Sequence, residues 1–205
     1  MKKYLAALTT TALISIAPYA LASSVDLTVT GTITPAACTP SFSNGGMVDL
    51  GKIAAKDLNQ TSYTTLEKTP MSLSVACDAP ALFAVHAVDN RPGTSFNNQG
   101  FGMGLTDANE KIGAFTPKIG VVEADGIQAR AIDSQDNGST WAYNTWIFPD
   151  RLTSVAEAGG AVTPKETQNL VINFDLWAWI ARADGLTLTN EVSIDGSATF
   201  EMKYL

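Results

Sequence analysis

The sequence is poor in cysteine, in histidine and in positive charge. Its 205 residues include two cysteines, Cys38 and Cys77, a single histidine, His86, and 13 Lys+Arg against 20 Asp+Glu, for a formal net charge of −7. So small a cationic share disfavours nucleic acid and anionic lipid as partners, since binding there depends on cations meeting phosphates. A Ser-His-Asp hydrolase would have to use His86, which sits in Ala81-Leu82-Phe83-Ala84-Val85-His86-Ala87-Val88, where the alternation reads as a strand. A Gly-x-Ser-x-Gly elbow is also missing, and the acids Asp133 and Asp136 lie in a turn-like stretch without the ligand spacing of a calcium loop. The expectation is a protein that is not an enzyme, with no catalytic residue, no cofactor and no metal.

Long apolar runs are scarce after the first 22 residues. The best one, residues 169–181, is broken by Asn173 and Asp175, so it falls short of the roughly 18 to 20 apolar residues that span a bilayer. The composition, 45% hydrophobic and 16% charged, excludes a disordered or collagen-like chain and suffices for one core.

At the start, Lys2 and Lys3 precede an apolar stretch that closes on Ala20-Leu21-Ala22, the pattern of a secretory signal peptide over residues 1–22. Export gives the cysteines a meaning, because an oxidising compartment lets a Cys38–Cys77 bridge form and persist. Closing that loop removes denatured-state entropy worth roughly 4 kcal/mol. The competing reading, a reduced zinc pair, lacks the third and fourth ligands that zinc requires.

Short runs rich in Val, Ile, Thr and aromatics recur over residues 25–34, 71–76, 82–88, 119–123, 140–148, 170–181 and 198–204. Turn chemistry separates them at Asn44-Gly45-Gly46, Arg91-Pro92-Gly93, Asp125-Gly126, Asn137-Gly138, Gly159-Gly160 and Asp184-Gly185. This spacing predicts an all-β, antiparallel sandwich. Helix is expected at most for a turn or two over residues 151–158, and residues 97–114 form a long loop or an extra hairpin. Residues 170–181 read as a central strand, with Leu170, Ile172, Phe174, Leu176, Ala178 and Ile180 directed into the core.

Both ends of the expected mature chain alternate strictly. Val25, Leu27, Val29, Gly31 and Ile33 share one face of the leading segment, and Ala198, Phe200, Met202 and Tyr204 share one face of the last. If a strand is required after that last one, it has to come from elsewhere.

With these features the chain resembles the pilin subunits of chaperone-usher pili, such as type 1 and P pili. The resemblance rests on the free alternating N-terminal segment with Gly31 near its centre, then Ala36-Ala37-Cys38, Val48-Asp49-Leu50-Gly51, Ser74-Val75-Ala76-Cys77 and the closing Ala-Thr-Phe-x-Met-x-Tyr-x with Tyr204 penultimate. It implies an incomplete immunoglobulin-like β-sandwich over residues 38–205 that lacks its final strand, with a donor-strand extension over residues 23–37. Such a domain is held first by a periplasmic pilus chaperone, handled by an outer-membrane usher, and completed by the extension of a neighbouring subunit. The resemblance gives the donor role to Val25, Leu27, Val29, Gly31 and Ile33, and the chaperone-facing role to Phe200, Met202, Tyr204 and Leu205. It also implies passage through the periplasm to a cell-surface fimbrium that serves adhesion or biofilm formation. For Gly31 the alternative is a bulge or bend; for residues 198–204 it is an ordinary core strand. Trp141, Tyr143, Trp146, Trp177 and Trp179 are read as core aromatics. The same side chains stacked on a sugar would make the chain a single-domain secreted lectin or adhesin, the alternative function.

Overall fold

The computed structural model describes residues 27–31, 37–97 and 99–205. The chain divides into one unit over Met1–Ile33 and a second over Thr34–Leu205. In the first, residues 27–31 form no strand, and Leu27 and Val29 are 90% and 84% exposed. The signal-peptide reading, Val25 and Ile33 lie outside the described residues.

The second unit is built from β1 (Cys38–Phe42), β2 (Thr64–Thr65), β3 (Thr69–Ala81), β4 (Phe83–Asp89), β5 (Phe101–Gly102), β6 (Gly113–Ala124), β7 (Ile127–Ser134), β8 (Ala142–Tyr143), β9 (Leu152–Glu157), β10 (Thr167–Ile180) and β11 (Ala198–Tyr204). Its described helices are three short 3-10 turns at Ser43–Gly46, Ala55–Asp57 and Ala183–Gly185. All pairings are antiparallel, in the order β1-β3-β10-β6-β7-β9-β4-β11, with β2 on β10, β5 on β6 and β8 on β7. The sheet curls into a barrel-like form, because its end strands approach each other. The Cys38 N–H donates to the Tyr204 hydroxyl at 2.8 Å, and the Phe42 and Phe200 rings meet edge to face at 4.9 Å.

β10 is central, as its parity predicts. Leu170, Ile172, Phe174, Ala178 and Ile180 are buried, and only Leu176 on that face is half-buried. Its long ladders to β3 and β6 satisfy the backbone groups that this burial removes from water. Cys38 and Cys77 are directly paired in the β1–β3 register and form the disulfide. β1 carries Pro40, which a strand at the end of a sheet tolerates because one of its edges needs no ladder donor.

Two hydrophobic clusters result. The larger includes Leu73, Val75, Val85, Phe101, Ile147, Val155 and Ile172; the smaller consists of Leu58, Met103, Ile112, Ala178 and Ile180. Phe115 packs against both.

Several expectations are corrected. Residues 151–158 contain strand β9 rather than helical turns, since Leu152 and Val155 are drawn into a buried strand flanked by β7 and β4. The run 140–148 supplies only the two-residue β8 and an isolated bridge from Trp146 to Lys118, because Asn144 turns the chain with its side chain, its Oδ1 accepting from the Trp146 N–H. The described part of 97–114 agrees with the expected extra hairpin, holding β5 and a bridge between Leu105 and Lys111. Asp133 lies on β7 rather than in the turn, buried against Arg151 at 2.9 Å, whereas Asp136 organises the expected polar turn, accepting from the Thr140 N–H and hydroxyl at 2.8 and 2.6 Å.

Candidate functional site

The feature that stands out is a groove of about 960 Å³ within the second unit, with an apolar floor and walls of mixed polar and apolar character. Its floor is built by Phe115 from β6, Phe174 and Ala178 from β10 and Met71 from β3, together with Ile112 just before β6. One wall is residues 47–54, presenting Val48, Leu50 and Ile53; the other is residues 186–197, presenting Leu186, Leu188, Val192 and Ile194. Phe42 and Phe200 line it as well, and there the end strands touch.

Neither wall belongs to a strand. The β1 and β11 edges are likewise laddered on one side each, β1 to β3 and β11 to β4. A cleft with a hydrophobic floor and unladdered chain on both sides suits an extended segment, whose N–H and C=O groups can pair with the edges while alternate side chains point down. His86, on β4, faces Glu201 of β11 at 3.8 Å across a strand pair.

Local contacts hold the walls in place. In the first, the Asp49 carboxylate accepts from the Gly51 N–H at 2.8 Å, and Gly51 takes a φ of +65°, which its missing side chain permits. In the second, Glu110 accepts from the Thr187 N–H at 2.6 Å and from the hydroxyls of Thr187 and Thr106 at 2.9 and 2.8 Å. These bonds, the Thr187 N–H foremost, stabilise its charged form and hold its carboxyl below the usual range. Lys52 and Glu191, both well exposed, face each other from the two walls at 3.6 Å, an interaction too solvated to contribute much.

The residues singled out from sequence fall as follows. Phe200 and Met202 are half-buried on β11 against the larger cluster; Tyr204 and Leu205 are 38% and 47% exposed. Leu205 donates its N–H to the Leu82 carbonyl at 3.1 Å. A side chain at Gly31 would meet nothing within 4 Å. The Val48-Asp49-Leu50-Gly51 motif belongs to the first wall. The second wall was not anticipated, although its signal is visible: the even positions Leu186, Leu188, Val192 and Ile194 continue the parity of Ala198, Phe200 and Met202.

The tryptophans are not core residues. Trp146, Trp177 and Trp179 are half-buried and cluster on the outer side of β10, opposite Ala178 and Ile180, with ring centroids 5.9 to 6.4 Å apart. Trp177 and Trp179 have odd parity on a strand whose even side chains fill the interior, and indole rings complete that solvent-side face instead.

Comparison with known proteins gives relatives without a stated activity. Residues 27–99 match the family described as "Protein of unknown function (DUF1120)". Protein GltF of Escherichia coli (strain K12) is 27% identical over 226 residues, 88% of this chain and 88% of that protein. The uncharacterized protein YhcF of the same strain is 25% identical over 220 residues, 90% of this chain and 92% of its own length, so the likeness to both extends over most of the chain.

Proposed function

We propose that the chain is an exported structural subunit whose groove receives an extended strand from another molecule, in the manner of the chaperone-usher fimbrial subunits it resembles. The observation that carries this reading is the groove of about 960 Å³, apolar at its floor, between two unladdered walls. On this reading the curled sheet is an immunoglobulin-like sandwich that lacks its final strand, and the missing strand would lie between residues 47–54 and the β11 side. The exposed Leu27 and Val29 support a donor role for the leading segment, since two large apolar side chains of one parity stand in solvent.

The partners are those the resemblance implies: a periplasmic chaperone first, an usher at the outer membrane next, and a neighbouring subunit last. An unfilled groove with free strand edges, which invites edge pairing and aggregation, supports the need for a first strand donor. β11, with Phe200, Met202, Tyr204 and Leu205, is the edge such a chaperone would use. The reading assigns no catalysis and places the chain in a surface fibre that contributes to adhesion.

The test is deletion of residues 23–34, assayed with and without a co-expressed periplasmic chaperone. The expected product binds the chaperone through its groove but no longer joins the subunit that precedes it in a fibre. A soluble monomer that accumulates stably without any chaperone, deletion or not, would refute the proposal. A secreted lectin would instead keep its sugar ligand after the deletion and show no need of a chaperone.

A further inference from the structure

The outer face of β10 brings together groups that the groove does not use. The indoles of Trp146, Trp177 and Trp179 form one cluster above the buried Thr116. Lys68 places its ammonium 4.1 Å from the centre of the Trp177 ring, and Lys118 lies 5.4 Å from the centres of both Trp177 and Trp146. Both lysines are exposed, as are Asn173 and Asp175 on the same face of the strand. In a chain with 20 acids against 13 cations, two ammonium groups within 5.4 Å of one ring centre form a local exception to the prevailing sign.

We propose that this face binds a glycan through a carboxylated pyranose, such as a uronic acid residue. The sugar's C–H face stacks on the exposed part of the indole cluster, as apolar ring surface does on aromatic side chains. Its carboxylate lies between Lys68 and Lys118, where two charge-assisted hydrogen bonds replace ammonium hydration. Asp175 and Asn173 accept from ring hydroxyls. Charge complementarity selects the acid sugar over a neutral one: a neutral hexose leaves both ammonium groups without a new partner. The site lies on the opposite side of β10 from Ala178 and Ile180, which line the groove, so it does not depend on whether the groove takes a strand.

The experiment titrates the full exported chain with a galacturonate trisaccharide and with the matched neutral galactose trisaccharide, following tryptophan fluorescence and heat of binding. Saturable binding of the acidic sugar is expected, with the neutral one at least about tenfold weaker, a difference of about 1.4 kcal/mol. Added salt should narrow the gap. Lys68→Gln/Lys118→Gln, which leaves the aromatic cluster in place, should abolish the preference for the acid. Trp177→Ala should weaken both sugars, and its urea midpoint shows whether the fold survives. Equal affinity for the two sugars, no saturable binding of either, or an unchanged preference in the lysine variant would each overturn the proposal.

Discussion

A single charge placed on the leading segment tests the groove reading quantitatively. Leu27 and Val29 are 90% and 84% exposed, so nearly all of their apolar surface remains for a partner to bury. Fully burying such a side chain contributes about 1.5 to 3 kcal/mol. A peptide spanning residues 23–34, added to a chain lacking those residues, should therefore lose at least about 1.5 to 3 kcal/mol when it carries Val29→Asp, roughly a 10- to 150-fold rise in Kd. Desolvating the new carboxylate without a partner increases the loss. Parity supplies the control: Thr28 belongs to the opposite face, so Thr28→Asp should leave the affinity within about threefold. Isothermal titration measures all three peptides. If the two substitutions weaken binding equally, or neither weakens it, the segment does not lie in the groove as an alternating strand.

Other expectations follow from the framework around the groove. Replacing both Cys38 and Cys77 with serine should cost roughly 4 kcal/mol in urea unfolding, because the bridge closes a sequence separation of 39 residues; a loss under about 1 kcal/mol would contradict the loop-entropy account. Gly113→Ala should destabilise by about 1 to 3 kcal/mol, since its new methyl would stand 2.3 Å from the Trp179 carbonyl oxygen within the β6–β10 ladder; an unchanged urea midpoint would count against that packing. Bonds from the Thr140 hydroxyl first, then the Thr140 N–H and Ser134, lower the Asp136 carboxyl to about 2. Its contribution to the polar turn is thus present above the unfolded carboxyl value near about 3.9 and disappears as pH falls through about 2. Trp141, whose Nε1 donates to the Gly138 carbonyl at 3.1 Å, reports this by fluorescence, and Thr140→Val should move the transition to higher pH.

Legibility in the sequence followed the strength of alternation. β3, β4, β10 and β11 were readable because large and polar side chains alternate in each, and the cysteine pairing followed from there being only two. β7 was missed: the positions it turns inward include Ala129 and Ala131, too small to mark a face against the polar background. β9 was misread for the opposite reason, since Leu152 through Ala156 are buried one after another and give no period to detect. β1 was hidden by Pro40, which demotes a strand everywhere except at a sheet edge. Of the groove, the Val48-Asp49-Leu50-Gly51 turn was noticed as a motif, whereas the second wall was not, because residues 186–197 alternate without forming a strand. Parity alone puts Trp177 and Trp179 on the face opposite Ile180, whereas aromatic composition by itself points them into the core.

The twofold division of the hydrophobic interior gives the molecule two kinds of durability. Around Leu73, Val85 and Ile172, continuous ladders must break before solvent arrives; around Leu58, Met103 and Ile112, much of the cover is irregular chain secured by few backbone bonds, among them Asp195 N–H to Met103 carbonyl at 3.1 Å. Amide protons under that looser roof should exchange through small local openings, while those of β3 and the first half of β10 wait for the whole domain to unfold. Phe115, packed against both regions, joins the slowly exchanging half to the looser one.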